Sequence, residues 1–172
     1  MTGGEIEELV DIVDDDDRVI DTVPRSVMRA ENLRHRAVFV LVRSSRGEVL
    51  IHRRSETKDV WPGQWDLAVG GVVAAGEGYD VAAFREVAEE LGVTIAAGGL
   101  EPLGAGSFAD PDVRLVGRVY QLVHDGPFTF SDGEVVEARF VGLAELEARL
   151  ARDPFLPDSR ALVLPWLGLG EP

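Results

Sequence analysis

Cysteine is absent from the 172-residue sequence. Disulfides, thiolate metal sites and a cysteine nucleophile are therefore excluded, and the composition agrees with a reducing, cytoplasmic setting. Long apolar runs are also missing, and nothing comes near the roughly 20 consecutive apolar residues that a membrane-spanning helix needs. Residues 1–17 are acidic and hold no apolar stretch behind basic residues, so no signal or transit peptide is expected there. Basic residues are scarce, with 17 Lys and Arg against 31 Asp and Glu and a formal net charge of −14. Polynucleotide binding depends on neutralising phosphates with Lys and Arg, and this balance opposes it. A small phosphorylated ligand is still compatible, because divalent ions and a few local cations reverse the potential within one cleft. Of the three histidines, His52 and His124 have no partner at a metal or catalytic spacing and read as structural or surface residues.

What is present is 45% hydrophobic content, enough for a sizeable core in one domain spanning residues 1–172. The most informative segment runs from Gly71 to Val93. A glycine-rich loop there leads into a helix expected over Tyr79–Leu91 and stopped by Gly92. Glu86, Glu89 and Glu90 stand at i, i+3 and i+4 and share a face. Carboxylates that close repel one another and ask for a compensating cation, and oxygen-only ligands suit a hard ion such as Mg²⁺ or Mn²⁺.

The spacing of Gly71, Glu77, Arg85, Glu86, Val87, Glu89, Glu90, Gly92 and Val93 meets every position of the Nudix box. The chain thus resembles a Nudix protein. That resemblance implies an α/β fold, the Nudix-type α/β/α sandwich with a mixed central β-sheet. It also implies Mg²⁺-dependent cleavage of a diphosphate linkage, with Mn²⁺ as a substitute, in a nucleoside diphosphate derivative or a related small phosphorylated metabolite. By the same resemblance Glu86, Glu89 and Glu90 would hold metal, joined by a backbone carbonyl of Gly70 or Gly71. Arg85 would orient a neighbouring glutamate, Glu77 would pin the loop to the helix, and Gly71 and Gly92 would serve the loop and the helix end.

Around the box, residues 1–34 read as an N-terminal β extension, with two short strands over Leu9–Pro24 joined by an acidic turn and a short helix over Arg25–Asn32. His35–Val42 and the following EVLIHRR read as a hairpin of apolar strands at the sheet centre. Lys58–Trp65, with Pro62 and Gly63, reads as irregular. On the box helix, Val81, Phe84, Val87, Ala88 and Leu91 form the expected apolar stripe, with Arg85, Glu86, Glu89 and Glu90 off it. Further strands follow, then a helix over Leu143–Leu150 and a last one over Ser159–Leu167. Strands followed by helices in this order independently argue a mixed sheet between helical layers.

Diphosphates resist nucleophiles because their own oxygens are negative, so a catalyst must neutralise charge, activate water and hold both in line. The general base is either a box glutamate, Glu86 or Glu89, or a later one, Glu134 or Glu137. Arg53, Arg54 and Lys58 are candidates for binding substrate phosphates, although strand alternation lets at most one of Arg53 and Arg54 enter a given cleft. Trp61 and Trp65 flank a Pro-Gly pair and read as loop anchors rather than base-stacking platforms.

The stretches LRHRAVFVLV, RGEVLIHRRSETKDVWPGQWD and AVGG resemble the Nudix branch related to isopentenyl-diphosphate isomerase. Those isomerases need a cysteine where Gly70 stands here and several metal-binding histidines, of which only His35 has a counterpart. The expectation is a bacterial hydrolase-type member of the branch, with isomerisation disfavoured. A second alternative is a non-catalytic ligand-sensing Nudix domain, against which the intact box argues. Substrate identity, the number of metal ions and the oligomeric state, a homodimer included, are left open by the sequence.

Overall fold

In the computed structural model, which describes residues 6–170, the chain runs β1 (Leu9–Val13), β2 (Val19–Pro24), α1 (Arg25–Ala30), β3 (His35–Arg43), β4 (Val49–Arg54), β5 (Trp65–Asp66), β6 (Val69–Val72) and α2 (Tyr79–Leu91). It continues with β7 (Glu101–Ala109), β8 (Arg114–Val123), β9 (Val135–Val141), α3 (Leu143–Arg152), α4 (Pro157–Val163) and a 3₁₀ turn at Leu164–Leu167. The near-continuous aliphatic run of β3 suits a strand covered on both faces. Its residues alternate between two cores. Ala37, Phe39 and Leu41 pack with Ile51, Leu146 and Leu162, whereas Val38, Val40 and Val42 pack under α2 with Ala83, Val87 and Leu91. Each fully buried Val or Leu of this kind contributes about 1.5–3 kcal/mol. Helices thus cover both sides of a mixed sheet, the α/β/α sandwich.

The β3–β4 hairpin differs from expectation. The two strands meet only at Arg43 and Val49. A strand has two hydrogen-bonding edges, and those of β3 are taken by antiparallel β6 and by parallel β8 along its whole length. Strand β4 turns away to pair with β9 and β5 instead.

Helix α2 has the expected ends but a different buried face. It buries Ala82, Ala83, Glu86, Val87 and Leu91, while Val81 is 62% exposed and Ala88 faces solvent. Ala82 and Ala83 share the buried face with the larger Val87 and Leu91, all four in the core between the helix and the sheet. Glu86 is carried inward as a result. At the helix end Gly92 adopts the left-handed conformation (φ 66°) and donates to the Ala88 carbonyl.

The N-terminal extension is tied to the box loop. The Leu9 carbonyl accepts from Ala75 N, Asp11 Oδ2 accepts from Gly76 N, and Tyr79 donates its hydroxyl to Asp17. Val10 and Ile12 pack with Met28 of α1 and Val72 of β6, which sets α1 beside the box. Helix α4 begins at Pro157, two residues before the expected Ser159, because proline suits the first helical position. Among the described residues no helix is long and apolar enough to cross a membrane.

Candidate active site

Strand β6 and helix α2 are joined by the glycine-rich loop, and Arg85 is the hub that closes it. Its Nε and Nη2 donate to the two oxygens of Glu77 at 2.8 and 2.9 Å. Its Nη1 donates to Glu86 Oε1 at 2.8 Å and to Glu89 Oε2 at 3.2 Å, and Nη2 reaches the Val72 carbonyl at 3.3 Å. Glu77 also accepts from Ala74 N. Hydrogen bonds from Arg85 hold the Glu77 carboxyl below the usual carboxylate range.

Glu86 is buried, and its carboxylate lies so close to Gly71 that a Cβ there would stand 2.6 Å from Oε1. Burial raises its pKa, with Arg85 opposing and Glu89 adding to the rise. Glu90, one turn on, is pushed well above the usual range by desolvation and then by Glu86 and Asp66, with Glu134 adding and Lys58 opposing. Glu86, Glu90, Asp66 and Glu134 therefore converge on one region, whereas Glu89 is 57% exposed and held by Arg85. Among the described residues no three acidic or histidine side chains are arranged, as they stand, to hold a metal ion, and Glu86 is turned onto Arg85. The donor set itself fits a hard divalent cation. It consists of crowded carboxylates whose repulsion such an ion relieves, beside the half-buried backbone of Gly70 and Gly71 that lines the same cleft.

These groups line a cleft of about 500 Å³. Of the candidate phosphate-binding residues, Arg54 and Lys58 line it and Arg53 does not. Arg53 lies on the other face of β4, 3.9 Å from Glu56 and 3.8 Å from Glu137, and a bulge between Arg53 and Arg54 shifts the strand register at this point. Lys58 donates to Glu134 Oε2 at 2.7 Å across the cleft mouth. Glu134 lines the cleft, and Glu137 is turned to Arg53 and Arg139. The two tryptophans separate. Trp65 is buried beside Phe155, while half-buried Trp61 lines the cleft with its ring edge-on to Phe108.

Several cleft residues have no local signature in the sequence. Asp66 reaches it from β5, and Asp158 from the first turn of α4. The Asp158 carboxyl is buried and pushed up to about 7, by desolvation first and then by Asp66. Arg25 and Arg29 enter from α1; their four-residue spacing on a short helix is the one sequence signal that they share a face. His35 is buried, bonds the Leu33 carbonyl through Nδ1, and is lowered to about 4 by burial, so it is neutral near pH 7. His52 is buried as well, 3.9 Å from Asp66 across the strand pair. At Gly70 a Cβ would overlap the Val38 carbonyl oxygen of β3, so this backbone leaves no room for the cysteine that an isomerase would need.

Residues 33–166 match the NUDIX domain family. The chain is 41% identical over 160 residues to the protein called "Uncharacterized Nudix hydrolase YfcD" of Salmonella typhi, covering 93% of this chain and 85% of that one. It is also 41% identical over 174 residues to "Uncharacterized Nudix hydrolase SCO1686" of Streptomyces coelicolor, covering 96% and 93%. Among solved structures, DR0079 from Deinococcus radiodurans superposes with a TM-score of 0.72 at 30% identity, over 88% of this chain and 94% of that one.

Proposed function

This chain belongs to the NUDIX domain family and is a Nudix hydrolase, and from that premise we propose that it cleaves a diphosphate linkage in a nucleoside diphosphate derivative or a related small phosphorylated metabolite. The observation that carries this reading is the convergence of Glu86 and Glu90 beside Gly71 in a cleft that also presents Arg54 and Lys58. Glu86 and Glu90, with Glu89 at the rim and a carbonyl of Gly70 or Gly71, would hold Mg²⁺, with Mn²⁺ as a substitute. Such an ion supplies charge neutralisation for the diphosphate and acidifies water. Arg85 positions Glu86 and Glu89 without touching substrate. Arg54 and Lys58 receive phosphate oxygens. When Lys58 turns to the substrate it leaves Glu134, and the freed carboxylate then takes the proton of the attacking water as general base.

The test is product release from a panel of nucleotide and non-nucleotide diphosphates with Mg²⁺, with Mn²⁺ and with chelator. Metal-dependent cleavage of one compound class, lost in Glu90→Gln, is the expected result. Turnover unchanged in Glu90→Gln would refute the role given to this carboxylate. Metal binding without cleavage of any compound would favour a ligand-sensing domain.

A further inference from the structure

Arg25 and Arg29 stand one turn apart on α1, ahead of the residues that match the NUDIX domain. Both line the cleft together with Arg54. The three guanidiniums are close enough for the charges of Arg25 and Arg54 to work against that of Arg29, on top of its burial. Like charges gathered in a partly desolvated place call for a counter-charge.

The chain supplies this only in part. Glu8 accepts from Arg25 at 2.9 Å at the rim. Asp59 lies 3.4 Å from Arg29 Nε and is 58% exposed. Asp158 also faces Arg29, but its buried carboxyl, pushed up to about 7, carries only part of a negative charge near neutrality. Meanwhile Arg29 Nε and Arg54 Nε are both buried and make no hydrogen bond to any described residue. Buried donors without acceptors are rare in folded chains and point to a ligand that completes them.

We propose that Arg25, Arg29 and Arg54 form a phosphate subsite, which holds a phosphate group of the substrate other than the one under attack. A phosphate brings several acceptor oxygens and negative charge, the combination that planar guanidiniums bind through paired N–H groups. The subsite adjoins the box, since the charge of Arg25 also acts on Glu86. Naming the bound phosphate as part of a substrate rests on the hydrolase reading; phosphate binding by the three arginines does not.

The experiment is calorimetric titration of the full chain with inorganic phosphate in chelator at low ionic strength, with acetate as a monovalent control. Wild type and Glu90→Gln should both bind phosphate, because the three arginines that would hold it are unchanged in both. Arg29→Met should bind about tenfold more weakly, with Arg29→Lys in between. Arg25→Gln, at the more exposed member of the pair, gives a second variant that leaves the packing alone and should weaken binding about threefold. Equal affinity in wild type and both neutral variants, or no saturable phosphate binding by wild type, overturns the proposal. Arginine-dependent phosphate binding with no hydrolysis of any compound would refute the hydrolase reading and leave the subsite standing. Hydrolysis with arginine-independent phosphate binding would do the reverse.

Discussion

On the box wall of the cleft, Arg85 donates to Glu77, Glu86, Glu89 and the Val72 carbonyl, whereas on the facing wall the buried Nε atoms of Arg29 and Arg54 have no hydrogen-bond acceptor among the described residues. Both walls carry arginine, and the difference lies in what surrounds it. The box wall comes from one contiguous segment that supplies its own carboxylates at fixed helical spacing. The facing wall is assembled from α1, β4 and the loop before β5, and it leaves donors for something that is not part of the chain. The box arginine is satisfied by internal bonds, whereas the facing arginines have partial partners in Glu8, Asp59 and the Val60 carbonyl and keep two buried Nε donors over.

The largest expected effect is on the box wall. Glu90→Gln should lower kcat/KM by more than about 100-fold, since even the outer partners of a bound metal are worth roughly 10–100-fold. Its melting temperature should hold or rise, because the change removes a repelled carboxylate; a large loss of stability would contradict that account. Arg85→Met should cost on the order of 2 kcal/mol in denaturant unfolding, as it leaves Glu77 and buried Glu86 without their main partner. Activity should fall about 10–100-fold with it, and a variant of full stability and activity would show that the hub is decorative.

Asp158 tests the facing side through pH. Its carboxyl titrates at about 7 in the folded chain against an ordinary 3.8, so the folded state binds the extra proton between these values. Stability should therefore fall as pH rises from about 4 to about 7 and stay lowered above that. Asp158→Asn should flatten this slope and stabilise the chain on the order of 2 kcal/mol at pH 8. An identical melting profile from pH 4 to 8 in both proteins would sink the assignment. The smallest effect is expected at Arg53, outside the cleft, where Arg53→Ala should change stability by no more than about 0.5 kcal/mol and leave turnover within about twofold. A marked rise in KM for that variant would return it to the site.

What the sequence determined on its own is local. The ends of α2 and the grouping of Glu77, Arg85, Glu86, Glu89 and Glu90 were legible because loop, helix and cap lie within one short segment and follow helical spacing. The near-continuous aliphatic run of β3 likewise announced an apolar strand at the sheet centre. What only the tertiary structure decided depends on contacts between distant segments. The rotation of α2, which brings Glu86 inward and leaves Val81 exposed, is set by the packing of Ala82, Ala83, Val87 and Leu91 against the sheet. The separation of β3 from β4 follows from β6 and β8 taking both edges of β3. Asp66, Asp158, Arg25 and Arg29 meet the box only because sheet register and chain crossing bring their elements to one cleft. Periodicity reports which face of an element is apolar, whereas the partner of that face is fixed by long-range packing.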